Sequence, residues 1–247
     1  MVDFVGKFHR VMCQCLPGRR WPVHVPGGVV SFTFDDVPLT GLKRGRAILE
    51  EFGTRGTFYC AAGLFGKESA CGQICTLDDV AAAAAKGHEV GCHTMSHLDS
   101  QRTTAGALLA DIDANASALG PAWGTPLVSF AYPFGRVTPR SARVLGERFM
   151  TCRGNRPGLN GRETDAANLR ANVLYGGRFD TNAIGRLIEA AVSTNSWLVF
   201  YTHDIQDNPS PYGCTPGQFK QVVAMSARRT RILPVKEAAK LAAQATA

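Results

Sequence analysis

Five side chains in this 247-residue sequence have the types and spacing for joint acid–base or metal chemistry: Asp35, Asp36, His93, His97 and His203. Two adjacent carboxylates repel each other, and burying them unpaired is costly. At the end of a strand, Asp35-Asp36 therefore asks for a positive partner: a metal ion, an arginine, or both. Read alone, the pair fits a solvated turn equally well. His93 and His97 share a face if the segment is one helical turn, or they converge from a tight loop; read alone, they fit a pair of helix-surface histidines. With one carboxylate they form a set of two imidazoles and one carboxylate. That set suits zinc best, with cobalt, nickel or manganese as alternatives, and it leaves positions open for water and substrate. A metal in such a site lowers the pKa of its water and polarises a carbonyl. The second aspartate is then free to act as general base. A leaving group needs a proton, and His203 is placed to supply it from the opposite wall.

The elements that must hold these residues alternate between strand and helix. Residues 29–34, Val-Val-Ser-Phe-Thr-Phe, read as a strand that delivers Asp35-Asp36. Residues 40–52 have helical apolar spacing closed by Gly53, and 56–61 read as the next strand. Thr76 and Asp79 predict a capping box for a helix running to Gly87. A strand at 89–92 leads into His93, a helix spans 103–119, and a strand at 127–132 ends at Pro133-Phe134-Gly135. A helix over 139–149 and a strand at 150–153 follow. Residues 154–178 resist assignment. A helix from Asp180 to about Ser193, a buried strand at 197–202, a helix from Pro216 to about Arg229, a short strand at 232–233 and a last helix from Val235 complete the chain. Residues 1–28 read as an irregular lead-in, and 29–247 as one α/β domain, either a (β/α) barrel or an open doubly wound sheet. Asp35-Asp36, His93/His97, Tyr132 to Gly135 and His203-Asp204 all follow C-terminal strand ends, the edge where sites are built in both architectures. No phosphate-binding glycine loop follows the first strand.

The formal net charge is +7, but lysines and arginines are scattered along the chain. The densest cluster, Arg228-Arg229-Thr230-Arg231, reads as a solvated helix end, so no nucleic-acid partner is expected. No apolar run is long enough for a membrane span. The first ten residues lack the apolar stretch of a secretory signal, which makes a cytoplasmic protein with reduced thiols the expectation. Of the eight cysteines, Cys13/Cys15 and Cys71/Cys75 have ligand-like spacing without a partner pair. A Cys71–Cys75 bridge is the one disulfide the spacing leaves open.

Thr33-Phe34-Asp35-Asp36-Val37-Pro38 resembles the first motif of the polysaccharide deacetylases (carbohydrate esterase family four), usually Thr-Phe-Asp-Asp-Gly-Pro. Gly87 to His97, GHEVGCHTMSH, resembles their second motif, and Tyr201-Thr202-His203 their last. The resemblance spans roughly residues 29–235 in the family's order. It implies a distorted, incomplete (β/α) barrel. It also implies metal-dependent removal of an acyl group, usually N-acetyl, from an amino sugar or glycan intermediate. The implied roles are Asp35 as base, Asp36, His93 and His97 as metal ligands, His203 as acid, and the Phe134 backbone N–H as oxyanion donor. The chain departs from the pattern at three places. Val37 stands where the family has glycine, which alters the backbone freedom of that turn. Ala131 stands where an arginine orients the base; Arg153 is the expected substitute, with Arg136 and Arg170 as rivals. The fourth motif is not recognisable, so the aspartate supporting the acid is open among Asp165, Asp180 and Asp204. Trp197 or Tyr132 is a candidate wall for the acyl methyl, although either fits the core as well. The alternatives are a deformylase or amidase acting on a non-sugar substrate and a non-catalytic glycan-binding protein of the same fold.

Overall fold

The computed structural model of the protein describes residues 19–120 and 126–244; Cys13, Cys15 and most of the lead-in lie outside them. The central strand, β1 (Val29–Asp35), is buried over its whole length. Strands covered on both faces are near-continuous apolar runs, and the polar exceptions in β1 are satisfied. Ser31 Oγ donates to the Leu233 carbonyl at 2.7 Å, and Thr33 Oγ1 to that of Phe200 at 2.8 Å.

A wide π-type turn at Gly41–Gly45 leads into α1 (Arg46–Glu51), and the chain returns as β2 (Thr57–Cys60). A small antiparallel hairpin follows, β3 (Glu68–Ser69) and β4 (Gly72–Gln73). Helix α2 (Leu77–Ala84) starts at the expected capping box, with Thr76 and Asp79 each accepting the other's backbone N–H. Then come β5 (Glu89–Cys92), α3 (Ala105–Leu119), β6 (Ser129–Ala131), α4 (Pro139–Arg148) and β7 (Thr151–Arg153). The chain finishes with β8 (Asn172–Val173), α5 (Thr181–Ser193), β9 (Trp197–Thr202), α6 (Pro216–Ala227), β10 (Arg231–Ile232) and α7 (Val235–Gln244).

The main sheet runs β7-β6-β5-β2-β1-β9-β8, with β10 also on β1, and all its pairings are parallel. Its two edges approach through a bridge between Arg153 and Leu169. The result is a single-domain, distorted and incomplete (β/α) barrel.

Strand alternation divides the residues between the two faces of this barrel. Val30, Phe32 and Phe34 face outward into a core shared with α1, α2, α5 and α6. Phe34 stacks on Phe58 at 4.7 Å and meets Phe219 edge-on at 5.5 Å. Each fully buried side chain of this kind contributes about 1.5–3 kcal/mol. Val29 faces inward with Trp197, Val199 and Tyr201, against Val235, Ala238, Ala239 and Ala242 of α7. Helix α7 thus closes the N-terminal end of the barrel.

Register sets the level of each inward residue. Asp35 lies opposite Tyr59, Tyr59 opposite Gly91, Cys92 opposite Phe130, and Ala131 opposite Arg153. His93, Ala131 and Arg153 therefore arrive on one tier at the C-terminal mouth, with Asp35 beside it. Gly91 is required there, because a Cβ would sit 2.4 Å from the Tyr59 ring.

Three local features differ from the sequence reading. The strand expected at 127–132 shrinks to β6. The unassigned stretch 154–178 contains β8 and a 3₁₀ turn at Gly176–Arg178. The β3–β4 hairpin has no counterpart in the reading, because two-residue strands have no period to detect. Cys71 and Cys75 are free thiols, so the bridge between them is not formed. No helix among the described residues is long and apolar enough to cross a membrane.

Candidate active site and metal centre

Asp35 and Arg153 meet at the C-terminal mouth, both buried. Arg153 Nη2 lies 2.5 Å from Asp35 Oδ1 and also contacts Oδ2, while Nη1 donates to the Gly154 carbonyl at 2.8 Å. The guanidinium is held between two rings, 5.3 Å from the centroid of Tyr59 and 4.8 Å from that of Tyr201. Burial by itself would raise the Asp35 pKa. The Arg153 charge, with a smaller pull from His203, more than offsets burial and holds the carboxyl below its usual range. Asp35 is thus an ionised, oriented carboxylate in a buried position. Ala131 leaves the family's arginine position empty on β6, and the neighbouring strand supplies the guanidinium at the same tier. Of the two rivals, Arg136 pairs with Asp99, and Arg170 donates to the Pro157 carbonyl at 3.1 Å.

The chain turns sharply after Asp35. Asp36 and Val37 have φ of 57° and 58°, a region that costs L-residues roughly 1–2 kcal/mol each. This turn points Asp36 across the mouth, away from Asp35. Asp36 Oδ1 lies 3.6 Å from His93 Nε2 and 3.2 Å from His97 Nε2. One ligand atom from each of the three residues falls within 4.8 Å of the others.

The residues present fit a divalent ion. Asp36 Oδ1 is buried and has no hydrogen-bond partner among the described residues. The His93 Nδ1 faces the Ala131 carbonyl at 2.8 Å, which places its proton on Nδ1 and leaves the Nε2 lone pair toward Asp36. Burial pushes His93 down to about 3, with Asp35 opposing, and also lowers His97. Both imidazoles are therefore neutral, as ligands must be. Burial pushes Asp36 up to about 6, against the pull of His203 and with a further rise from Asp35; a carboxylate buried here calls for a cation.

The two histidines come from a tight loop rather than a helix. Thr94 and His97 have positive φ, 63° and 54°. Asp111 of α3 accepts the Met95 and Ser96 N–H groups at 2.6 and 3.1 Å, and Thr94 Oγ1 accepts that of Leu98 at 2.9 Å. Phe134 packs edge-on against the His97 ring at 4.4 Å. Sequence reasoning missed Asp111, whose only signal would have been a lone acid inside an otherwise ordinary helix.

A cavity of about 430 Å³ holds Asp35, Asp36, His93, His97, Arg153 and His203 together. Tyr175, Tyr212 and Cys71 also line it, and the sequence reading singled out neither tyrosine. His203 sits between them, 6.0 Å from the Tyr175 ring and 5.7 Å from that of Tyr212. Its Nδ1 faces the Tyr212 carbonyl at 3.3 Å. The three aspartates considered for its support have other work. Asp204 holds the 204–214 loop through Ser210 and Gln206, Asp180 caps α5, and Asp165 accepts the Arg19 and Ala167 N–H groups.

Phe134 lies at the cavity mouth, 56% exposed and at φ 58°. The two wall candidates are core residues instead. The Tyr132 hydroxyl donates to the Ala167 carbonyl at 2.9 Å inside the α3–α4 core. Trp197 is buried at the N-terminal start of β9, where Nε1 donates to Ser31 at 2.9 Å.

A buried carboxylate beside an Asp-His-His triad able to hold a metal ion, at the C-terminal mouth of the strands, defines the class of this (β/α) barrel. The chain belongs to the polysaccharide deacetylase family, whose sequence model matches residues 23–150 and whose active members are metal-dependent carbohydrate deacetylases. No curated protein sequence matches the chain. Among solved structures, a polysaccharide deacetylase from Mycobacterium smegmatis aligns with TM-score 0.66 at 16% identity, covering 92% of this chain and 95% of that one. A family 4 acetyl xylan esterase from Clostridium thermocellum, in complex with a cobalt ion, aligns with TM-score 0.59 at 17% identity, covering 86% and 91%. A mutant of a pseudoenzyme of the same family aligns with TM-score 0.59 at 11% identity, covering 90% and 70%. At these identities the structural likeness speaks for the fold.

Proposed function

We propose that the protein is a metal-dependent hydrolase that removes an N-acyl group, acetyl first, from an amino sugar or glycan intermediate. The observation that carries this reading is the Asp35–Arg153 pair: an oriented, ionised base shares one cavity with the Asp36–His93–His97 triad. Asp36, His93 and His97 would hold a divalent ion, zinc fitting best and cobalt, nickel or manganese next. When bound, the ion lowers the pKa of water and polarises the acyl carbonyl.

The remaining roles belong to the chain's own residues. Asp35 accepts the proton of the attacking water, with Arg153 keeping its carboxylate ionised and aimed. The Phe134 backbone N–H donates to the acyl oxygen as negative charge develops on it. His203 gives a proton to the departing nitrogen, so that the C–N bond breaks to acetate and a free amine. A soluble or lipid-linked precursor is the substrate expected for a cytoplasmic enzyme.

Acetate release from N-acetylated amino-sugar oligomers, with and without chelator, tests the proposal. Turnover that is lost on chelation and restored by zinc is the expected result. Glycan binding without turnover of any acetylated or formylated amide by the metal-loaded protein would establish the non-catalytic alternative. Turnover confined to non-sugar amides would establish the amidase alternative.

A further inference from the structure

A second concavity, about 540 Å³, runs down the flank of the barrel and is lined by Arg20, Arg156, Arg162 and Arg170 together with Glu163 and Asp165. These four arginines come from three separate stretches of sequence. Elsewhere, Arg44, Arg46, Arg136, Arg148, Arg153 and Arg229 each lie within 4.0 Å of a carboxylate. None of the four groove arginines has such a partner among the described residues, and they differ from other arginines without one, such as Arg140 and Arg186, in sharing one concavity. The groove is framed by buried Asn160, whose Oδ1 accepts the Arg170 N–H at 2.9 Å and whose Nδ2 donates to the carbonyls of Arg170 and Trp197. The Arg156 carbonyl accepts the Ala171 N–H at 2.9 Å, which ties the two upper arginines to one framework. Partial burial, and then the charge of Arg156, lower the Arg170 pKa. Four guanidiniums against two lining carboxylates leave a net positive groove whose field attracts anions.

The groove and the catalytic cavity are linked through residues that are neighbours in the chain. Asn155 lines that cavity and immediately precedes Arg156, while Leu169, bridged to Arg153, immediately precedes Arg170. A chain molecule seated at Asp35 can therefore continue along the flank past these guanidiniums. We propose that the groove is a binding site for the sulfate, phosphate or carboxylate groups of a negatively charged glycan, so that the substrate is an acetylated amino-sugar chain carrying acid groups. The inference rests on the glycan-hydrolase reading of the neighbouring cavity. Guanidinium forks suit all three oxyanions.

The test is a binding titration on metal-free wild-type protein, which reads affinity without turnover. The probes are a fluorescent sulfated hexasaccharide of alternating uronic acid and N-acetylglucosamine, and an uncharged N-acetylglucosamine hexamer. The sulfated probe is expected to bind at least about tenfold more tightly, with an affinity that falls as salt rises. The double variant Arg156→Gln/Arg170→Gln should lose about tenfold or more of that affinity. The control Arg228→Gln/Arg229→Gln, which removes the same charge elsewhere, should stay within about twofold. Circular dichroism checks folding, and the single variant Arg156→Gln, at an exposed position, stands in if the double variant does not fold.

Equal affinity in the wild type and the double variant, or an equal loss in the control, overturns the site. Tighter binding of a DNA 20-mer than of the sulfated glycan overturns the glycan assignment. Failure of the groove with turnover of neutral glycans leaves the hydrolase reading intact. Groove binding without turnover of any glycan leaves the site and removes the hydrolase reading.

Discussion

Two buried carboxylates stand at opposite ends of the same barrel interior, and their surroundings give them opposite properties. Asp35, at the C-terminal mouth, faces the guanidinium of Arg153 and is held below its ordinary pKa. Glu89, at the N-terminal end, accepts from Thr57 Oγ1 at 2.8 Å, Ser129 Oγ at 2.7 Å and the Lys236 N–H at 2.8 Å. Burial nevertheless leaves Glu89 raised. For Glu89, three neutral donors and the more distant Lys236 charge do not outweigh desolvation, whereas for Asp35 a guanidinium in direct contact, with a further pull from His203, does. The chemical consequence follows directly. Glu89 is a structural linchpin that ties β2, β5 and β6 to the first turn of α7, where a helix N-terminus favours an acceptor. Asp35 is ready to take a proton.

Strain is also unequally shared. Of the six non-glycine residues with positive φ among those described, Asp36, Val37, Thr94, His97 and Phe134 belong to the mouth. Backbone held in sparsely populated conformations clusters where geometry serves chemistry.

The largest effects should come from breaking the mouth. Asp35→Asn is expected to lower kcat by about 10²–10⁴-fold while metal content stays unchanged, as read by acetate release and elemental analysis. His93→Ala should lose both turnover and bound metal, and a full complement of metal in that variant would remove His93 from the ligand set.

Next in size, Arg153→Met leaves Asp35 buried without its counter-charge. Breaking such a pair costs about 3–5 kcal/mol, visible in urea unfolding, and in whatever protein remains folded the acid limb of kcat/KM should move to higher pH. An unmoved acid limb would show that Asp35 does not depend on Arg153 for its ionisation.

Glu89→Gln sharpens the contrast from the other end. The folded pKa of Glu89 lies above its unfolded value of about 4.3. Its contribution to stability is therefore fully present below that unfolded value and is lost as pH rises through the folded pKa. Asp35, with a lowered folded pKa, contributes above its unfolded value of about 3.9 and loses that contribution as pH falls through the folded pKa. Melting temperature against pH should consequently lose a downward slope in Glu89→Gln and an acid-side upward slope in Asp35→Asn.

Val37→Gly should have the smallest effect. Relief of a positive φ, about 1–2 kcal/mol, opposes the loss of a buried valine side chain, about 1.5–3 kcal/mol. A small fall in melting temperature is expected.

The parts of the fold legible in the sequence were those with strong local signals. β1 and β9 announce themselves as runs of β-branched and aromatic residues, and α2 by its capping box. β8, the β3–β4 hairpin and the role of Asp111 carry no local period or motif, because their pairing and charge are used only by distant partners. Trp197 illustrates the converse. Its size made it a candidate acyl wall, but strand direction puts it at the wrong end of β9, almost a full strand length from His203.

The sequence by itself determined the order of strand-end motifs, and with it the family, the barrel and the candidate triad, because these depend on residue type and near spacing. Tertiary structure alone decided which arginine meets Asp35, since the answer is a matter of register between β6 and β7: Ala131 and Arg153 are 22 positions apart in the chain and neighbours in the sheet. It also decided that scattered arginines become one groove, because charge density is a property of surfaces and not of sequence windows.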